Sequence, residues 1–347
     1  MPAASSRARS ATFEAPPNIA LVKYWGVRDR TRALPYNSSL SVTLDRLRSR
    51  TTVGFDPALR EDRIELNGTE AVGGPRDGVV RFLDRVRALA GRTEFADVQS
   101  DNNFPTASGM ASSASGFAAL AAASSRAAGL RLSPRALSQL ARFGSGSASR
   151  SIFGGFVEWR AGVRPDGRDC YARPLYGPDH WPELVDVVVL VRDARTKEVR
   201  SQDAMQLTVA TSPEYRRRLR EVPARLARIR RAIGGRDAAR LFPLVMEECD
   251  SFRSVCETTR PSLDYLSTTS RAVLGEVRSF NSEGAAARAG YTHDAGAHVH
   301  VFTLRRHVRA LRARLDRVPG VLSTTALRPG PGVRPVRSRT APSRAPR

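Results

Sequence analysis

The densest chemistry in the chain lies in Asn102-Asn103-Phe104-Pro105-Thr106-Ala107-Ser108-Gly109-Met110-Ala111-Ser112-Ser113-Ala114. This polar loop carries a proline and a glycine and runs into a small-residue helical segment, Ala111 to Gly129. Small side chains let backbone N–H groups approach an anion. A helix start adds unpaired N–H groups and the positive end of the helix dipole. Ser112 and Ser113 put hydroxyls at that start, suited to phosphate oxygens or a magnesium ion. No Gly-Lys-Ser/Thr follows, so the spacing is not that of a P-loop. The same residues also describe a capped, alanine-rich helix, and both readings stand at this point.

The cations are unevenly divided. Of 56 lysines and arginines only Lys23 and Lys197 are lysines. Where arginine serves almost everywhere, a surviving lysine suggests a place that the wider guanidinium does not fit. Lysine is a compact point charge with three donors, suited to a phosphate oxygen in a tight site. Lys23 ends the apolar run of Asn18-Ile19-Ala20-Leu21-Val22-Lys23-Tyr24-Trp25-Gly26, an unusual place for a surface charge. Lys197 follows another strand-like run, and a functional and a solvent-facing reading are both open there.

Two further segments carry reactive types. Arg150 stands in the glycine- and serine-rich run Gly144–Gly155, where small neighbours let a guanidinium present its fork to a carboxylate. Asp294 lies in Tyr291-Thr292-His293-Asp294-Ala295-Gly296-Ala297, between a strand-like end and a glycine turn, placed either to project into a cleft or to serve an ordinary turn. His293, His298 and His300 form the one histidine cluster, but no cysteine or acid stands at zinc-ligand spacing beside them.

These residues need elements to hold them. At 347 residues the chain can hold one large or two medium domains. Ile19–Tyr24, Leu40–Leu44, Thr51–Phe55 and Phe156–Trp159 read as strands. Ile64–Leu66 followed by Asn67-Gly68 reads as a hairpin, and Val79–Ala90 as a helix. A buried strand at Val185–Val191 opens a second unit. Helices follow near Ala204–Val209, Pro213–Gly234, Asp237–Glu248 and Leu263–Glu283, with Pro223 a candidate kink. A strand at Val299–Leu304 and a helix at Val308–Arg314 complete it. The expectation is two α/β lobes, residues 12–184 and 185–327, flanked by disordered segments 1–11 and 328–347.

Composition narrows the function classes. No apolar run approaches the roughly 20 residues of a membrane span. Residues 1–12 lack the apolar centre of a secretory signal. Cys170, Cys249 and Cys256 are odd in number and fit no ligand spacing, so a reducing cytoplasm is expected. The net charge of +22 invites a nucleic-acid reading. However, six arginines sit in the tail after Leu327, and ten between Arg216 and Arg240 alternate with an apolar helical stripe. No aromatic residues interleave with them as a single-strand binder requires. Weak, salt-sensitive binding is expected and specific binding is not.

The loop resembles the Pro-X-X-X-Gly-Leu-X-Ser-Ser-Ala motif of the GHMP kinase superfamily, with Met110 in place of leucine. The chain is similar to one branch in particular, the mevalonate diphosphate decarboxylases. Asn18–Gly26, Asn37–Leu44, Asn102–Gly116, Gly144–Trp159 and Tyr291–Gly296 carry the likeness, with weaker matches at His180–Leu184 and Ser201–Pro213. The resemblance implies a GHMP-kinase-like α/β (α+β) fold of two lobes with the active site between them, a homodimer, and no membrane. It implies ATP and magnesium as cofactors and a phosphorylated mevalonate as substrate: the tertiary 3-hydroxyl is phosphorylated, then phosphate and carbon dioxide leave. By position it makes Asp294, Arg150 and Lys23 catalytic. Pro105, Thr106, Ser108, Gly109, Met110, Ala111, Ser112 and Ser113 would hold the nucleotide, with Ser112 also toward magnesium. Tyr24, Ser38, Ser39, Ser149 and Ser201 would contact substrate.

The chain departs from that pattern in three places. The family's second lysine after Tyr-Trp-Gly is Val27 here, on the phosphate-bearing side of the site. Ala297-His298 replaces Pro-Asn, and His293 replaces a common phenylalanine. Relatives acting on mevalonate 5-phosphate or 3,5-bisphosphate, or stopping at 3-phosphorylation, therefore stay open as alternatives.

Overall fold

The computed structural model describes residues 10–104, 112–194 and 199–336. Three main sheets organise them. The first is six-stranded, in the order Arg334–Pro335, Ser10–Ala15, Ser49–Asp56, Phe95–Asn102, Arg63–Leu66, Thr69–Glu70. Alternation along Ser49–Asp56 turns Thr51, Val53 and Phe55 inward, the pattern of a sheet with one covered face. The helices Gly73–Ala90 and Ser112–Ala127 supply that cover. The second helix buries Ala114, Ala118, Ala119 and Ala121–Ala123, and these small side chains let its axis lie close to the sheet.

The second sheet is antiparallel, ordered Ala172–Tyr176, Phe156–Trp159, Ser39–Thr43, Asn18–Val22. Its last strand is buried along its whole length. The third sheet, ordered Ala289–Thr292, Val299–Leu304, Leu184–Val191, Val321–Leu327, is also antiparallel. Helices Thr268–Ser282 and Val308–Leu315 pack on one face of it, while Tyr215–Gly234 and Ala238–Glu257 fill the space toward the second sheet. One apolar cluster therefore joins both lobes: Ile19, Leu21 and Leu40 share it with Val188, Leu226 and Phe242.

The expected elements are present with shifted ends. The Asn67-Gly68 hairpin forms with φ of 52° and 72°, both central residues being left-handed. The helix Tyr215–Gly234 runs on through Pro223, which lies on its exposed side. Among the described residues, no helix is long and apolar enough to cross a membrane.

The expected terminal disorder needs correction where the structure describes it. Ser10 and Ala11 already belong to the first strand. Arg328–Val336 is ordered and returns to the first lobe. Arg328 and Gly330 exchange backbone hydrogen bonds with Asp45 and Thr43 at 2.8 and 2.7 Å, and Arg334–Pro335 adds an edge strand beside Ser10–Ala15. Composition marked this segment as chain without a core, but an open sheet edge gives its backbone partners regardless of side-chain type. Residues 1–9 and 337–347 lie outside the described residues.

Candidate active site

The strand Asn18–Val22 delivers Lys23 into the interior between the lobes. A bulge at Leu21 shifts its register against Ser39–Thr43, so the ladder stops before Lys23. Lys23 is 2% exposed. Its Nζ donates to Asp294 Oδ1 at 2.7 Å and to the Ala20 carbonyl at 2.8 Å. Its backbone N–H donates to Glu248 Oε1 at 2.9 Å, and its carbonyl accepts from Asn37 Nδ2 at 2.9 Å. The next turn depends on Gly26, whose φ is +98°. A Cβ there would fall 1.8 Å from the Tyr215 hydroxyl oxygen.

Asp294 comes from the other lobe, two residues past the strand Ala289–Thr292. The pair is asymmetric: the lysine side chain is 3% exposed and the carboxylate 27%. Asp294 thus keeps an open edge toward the cleft. Desolvation works against its ionisation, but the adjacent Lys23 ammonium, aided by His300 and Arg150, holds its carboxyl below the ordinary aspartate range.

Arg150 sits in the short helix Ala148–Ser151 and is 2% exposed. Its Nε donates to Asn18 Oδ1 at 3.1 Å and its Nη1 to Ser39 Oγ at 2.7 Å. No described carboxylate forms an ion pair with it. Burial pushes its guanidinium down to about 10, with Asp294 and Tyr24 opposing the shift. A buried cation aimed by two neutral acceptors, with no anion of its own, is built to receive one. Asn18 is itself fixed, donating to the Ser147 carbonyl and Ser151 Oγ.

The remaining expected residues divide. Tyr24 packs edge-on against Trp159 at 4.8 Å, and burial raises its phenol pKa. Ser39 belongs to the Arg150 cradle. Ser38 Oγ accepts from the Ala161 N–H at 3.0 Å and is half-buried. Ser201 opens the helix Ser201–Thr211 and is half-buried, without direct contact to the Lys23–Asp294 pair. Ser149 does not reach the cleft. It is fully buried, and its hydroxyl donates to the Ser138 carbonyl at 3.1 Å. In a helical turn, adjacent side chains point in different directions, so Arg150 facing the cleft turns Ser149 inward.

Ser112 and Ser113 begin the alanine-rich helix, and Ser113 Oγ lies 3.4 Å from Ser145 Oγ in the glycine-rich loop. The helix start and the Arg150 loop are therefore neighbours. Pro105, Thr106, Ser108, Gly109, Met110 and Ala111 lie outside the described residues, as does Lys197.

Val27 is 8% exposed and packs among Trp25, Ala204, Met205 and Tyr215, so no cation stands at that position. The histidines face separate tasks. His293 Nδ1 lies 2.7 Å from the Asp294 carbonyl, His298 Nδ1 accepts from the Val191 N–H, and His300 Nδ1 pairs with Asp186 at 2.7 Å. Among the described residues, no group of three His, Cys, Asp or Glu side chains is arranged to hold a metal. The three cysteines are free and buried, and burial pushes the Cys249 thiol up to about 12.

Asn18, Asn37 and Glu248 received no role from sequence. Glu248 had a detectable signal. Leu241, Val245, Phe252 and Val255 form an apolar stripe on Ala238–Glu257, and Glu248 falls on that stripe.

The chain is similar to known proteins over most of its length. Residues 15–172 match the diphosphomevalonate decarboxylase-like N-terminal domain, and residues 187–327 the mevalonate 5-diphosphate decarboxylase C-terminal domain. The diphosphomevalonate decarboxylase of Bos taurus is 43% identical over 309 residues, 84% of this chain and 76% of that protein. That of Ganoderma lucidum is 40% identical over 320 residues, 87% of this chain and 80% of that protein. The mevalonate diphosphate decarboxylase structure from Enterococcus faecalis superposes with a TM-score of 0.88 at 36% identity, covering 95% of this chain and 99% of that one. The Staphylococcus aureus enzyme gives 0.89 at 34%, covering 95% and 98%. A further similar structure, at 0.89 and 37% with coverage of 95% and 99%, is described as MDDEF with MVAPP, AMPPCP and magnesium.

Proposed function

The chain belongs to the diphosphomevalonate decarboxylase family, and from that premise we propose that it catalyses the ATP-dependent decarboxylation of mevalonate 5-diphosphate to isopentenyl diphosphate, releasing ADP, phosphate and carbon dioxide. The observation that carries this reading is the 2.7 Å Lys23–Asp294 pair joined across the lobes, within electrostatic reach of an Arg150 that lacks a described anion.

The roles follow from charge and exposure. Asp294, kept ionised by Lys23, accepts a hydrogen bond from the tertiary hydroxyl and takes its proton as the new oxygen–phosphorus bond forms. The departing phosphate takes that proton back, so positive charge grows on the tertiary carbon beside an Asp294 that is ionised again, and its open edge stabilises the charge. Arg150, aimed by Asn18 and Ser39, holds the substrate carboxylate until its carbon–carbon bond breaks. Tyr24 and Ser38 line the same region, and Ser201 approaches from the second lobe. The start of Ser112–Ala127 suits nucleotide phosphates and magnesium, with the positive end of the helix dipole and the Ser112 and Ser113 hydroxyls. Magnesium there would neutralise charge on the transferring phosphoryl group. The reading extends to a cytoplasmic location, which three unpaired buried cysteines suit, and to the homodimer that the resemblance implies.

The buried Val27 supports a second reading in which the substrate is mevalonate 5-phosphate or 3,5-bisphosphate, or the reaction stops at 3-phosphorylation. One assay separates them: ADP and carbon dioxide release from mevalonate and each of its phosphorylated forms. Equal ADP and carbon dioxide from the 5-diphosphate supports the first reading. Turnover with another member alone moves the enzyme to a different step, and carbon dioxide without ATP singles out the bisphosphate. Asp294→Asn should abolish turnover while ATP binding persists; near-normal turnover would refute the role of Asp294.

A further inference from the structure

Three charged side chains lie buried behind the site. Glu248 is 0%, Arg218 1% and Arg225 5% exposed. Both arginines hydrogen-bond to the Glu248 carboxylate, Arg225 Nη1 reaching Oε2 at 2.9 Å. Arg225 also binds Glu221 and Glu247. Burying an ion cluster costs desolvation energy that pairing must offset, and an apolar filling of the same volume is often as stable. The cluster calls for a reason beyond stability.

A contact toward the site supplies that reason. Glu248 Oε1 accepts the Lys23 backbone N–H at 2.9 Å. The strand ladder ends at Val22, so no neighbouring strand fixes Lys23. Its ammonium stands at the end of a flexible four-carbon stem, yet it must meet Asp294 across the lobe boundary. Glu248 clamps the root of that stem on the N–H side, as Asn37 does on the carbonyl side. Arg218 and Arg225, from the neighbouring helix Tyr215–Gly234, hold the clamp in place.

We propose that Glu248 is a positioning residue for the reaction, fixing the backbone of Lys23 so that its ammonium meets Asp294. This rests on the assignment of Lys23 and Asp294 above.

Two substitutions separate positioning from support. Glu248→Gln keeps an acceptor at the same reach and loses the charge between the arginines. Glu248→Asp keeps the charge and withdraws the acceptor by roughly one bond length. Positioning through the acceptor means that Glu248→Asp lowers kcat more than tenfold at unchanged KM for ATP. Glu248→Gln then lowers the melting temperature more but kcat only a few-fold. A second readout uses the scarcity of lysine: 15N-lysine labelling gives two backbone amide signals, assigned with Lys197→Arg. The Lys23 signal should exchange slowly with deuterium in the native chain and in Glu248→Gln, and lose that protection in Glu248→Asp. If Glu248→Asp is too unstable to assay, slow Lys23 amide exchange in the native chain that stays as slow in Glu248→Leu overturns the proposal, and its loss there supports it. Wild-type kcat and amide protection in folded Glu248→Asp also overturn it. Lys23→Met, run alongside, tests the underlying assignment: an active Lys23→Met fails that reading, whereas an inactive Lys23→Met beside an unaffected Glu248→Asp fails only the positioning role.

Discussion

At the scale of single residues, the site is an arrangement of charges whose partners are known except for one. Arg150 is the exception, and its neutral cradle of Asn18 and Ser39 fixes the fork rather than only the charge. Arg150→Lys should therefore lose at least about a hundredfold in kcat/KM, since an ammonium cannot reproduce two parallel donors. Steady-state kinetics check this, and a lysine that works nearly as well would reduce Arg150 to a point charge. His293 makes a different prediction. Burial, reinforced by the Lys23 charge, pushes its imidazole down to about 4 from 6.5. The unfolded chain then takes up a proton between those values that the folded chain does not. Stability thus falls as pH drops through this window, by up to roughly 3 kcal/mol at 1.36 kcal/mol per unit. His293 Nε2 is also buried without a partner. His293→Phe should leave a shallower loss of stability between pH 8 and pH 5, measured by urea unfolding. An unchanged difference between the two pH values would count against a buried neutral imidazole. His298, also pushed down to about 4, keeps part of the slope in the variant.

At the scale of elements, the strands and helices that carry the site were legible because their patterns are strong. Asn18–Val22 and Leu184–Val191 are apolar runs buried on both faces, and the helix Ser112–Ala127 announces itself by its alanines. Their ends were less legible, because a cap or a bulge is decided by partners elsewhere in the chain. Val321–Leu327 was missed: only Thr324 and Leu327 are buried, and several of its side chains are small and polar. The segment Arg328–Val336 is the clearest case. It reads as a polar, arginine-rich tail, yet it closes a sheet edge through backbone groups. Ending the chain after Leu327 should lower the melting temperature by about 5–10 °C, on the order of 2–3 kcal/mol. A truncated protein that melts with the full chain would show that this edge strand adds nothing.

At the scale of the molecule, the lobes are not independent bodies. Ile19 and Leu40 from one share a core with Val188, Leu226 and Phe242 from the other, and the Lys23–Asp294 pair crosses the same boundary. Calorimetry should accordingly show one cooperative transition, with calorimetric and van't Hoff enthalpies in agreement. Two resolved transitions would mean that the shared core does not couple the lobes. The surplus of positive charge is handled locally in much of the described chain. In the helix Tyr215–Gly234, Arg217, Arg225 and Arg228 are paired with glutamates, and Arg218 and Arg225 point inward. That pairing suits a solvated and partly structural role for the arginine run better than a nucleic-acid stripe.

The sequence by itself determined the family and the mixed α/β class, and it singled out Lys23, Arg150 and Asp294 as candidates. The fold class rests on periodicity, Arg150 on a small-residue loop and Lys23 on being a rare lysine among arginines, whereas the family and Asp294 rest on the motif resemblance. Only the tertiary structure decided which of these groups meet. Lys23 and Asp294 are far apart in the chain, and their 2.7 Å contact exists because two lobes close on one core. The structure likewise decided that Ser149 turns inward, that Val27 is sealed among apolar side chains, and that Glu248 is spent on a backbone N–H. Hydrogen-bond partners distant in sequence leave no local pattern, because their energy depends on positions that the fold alone supplies.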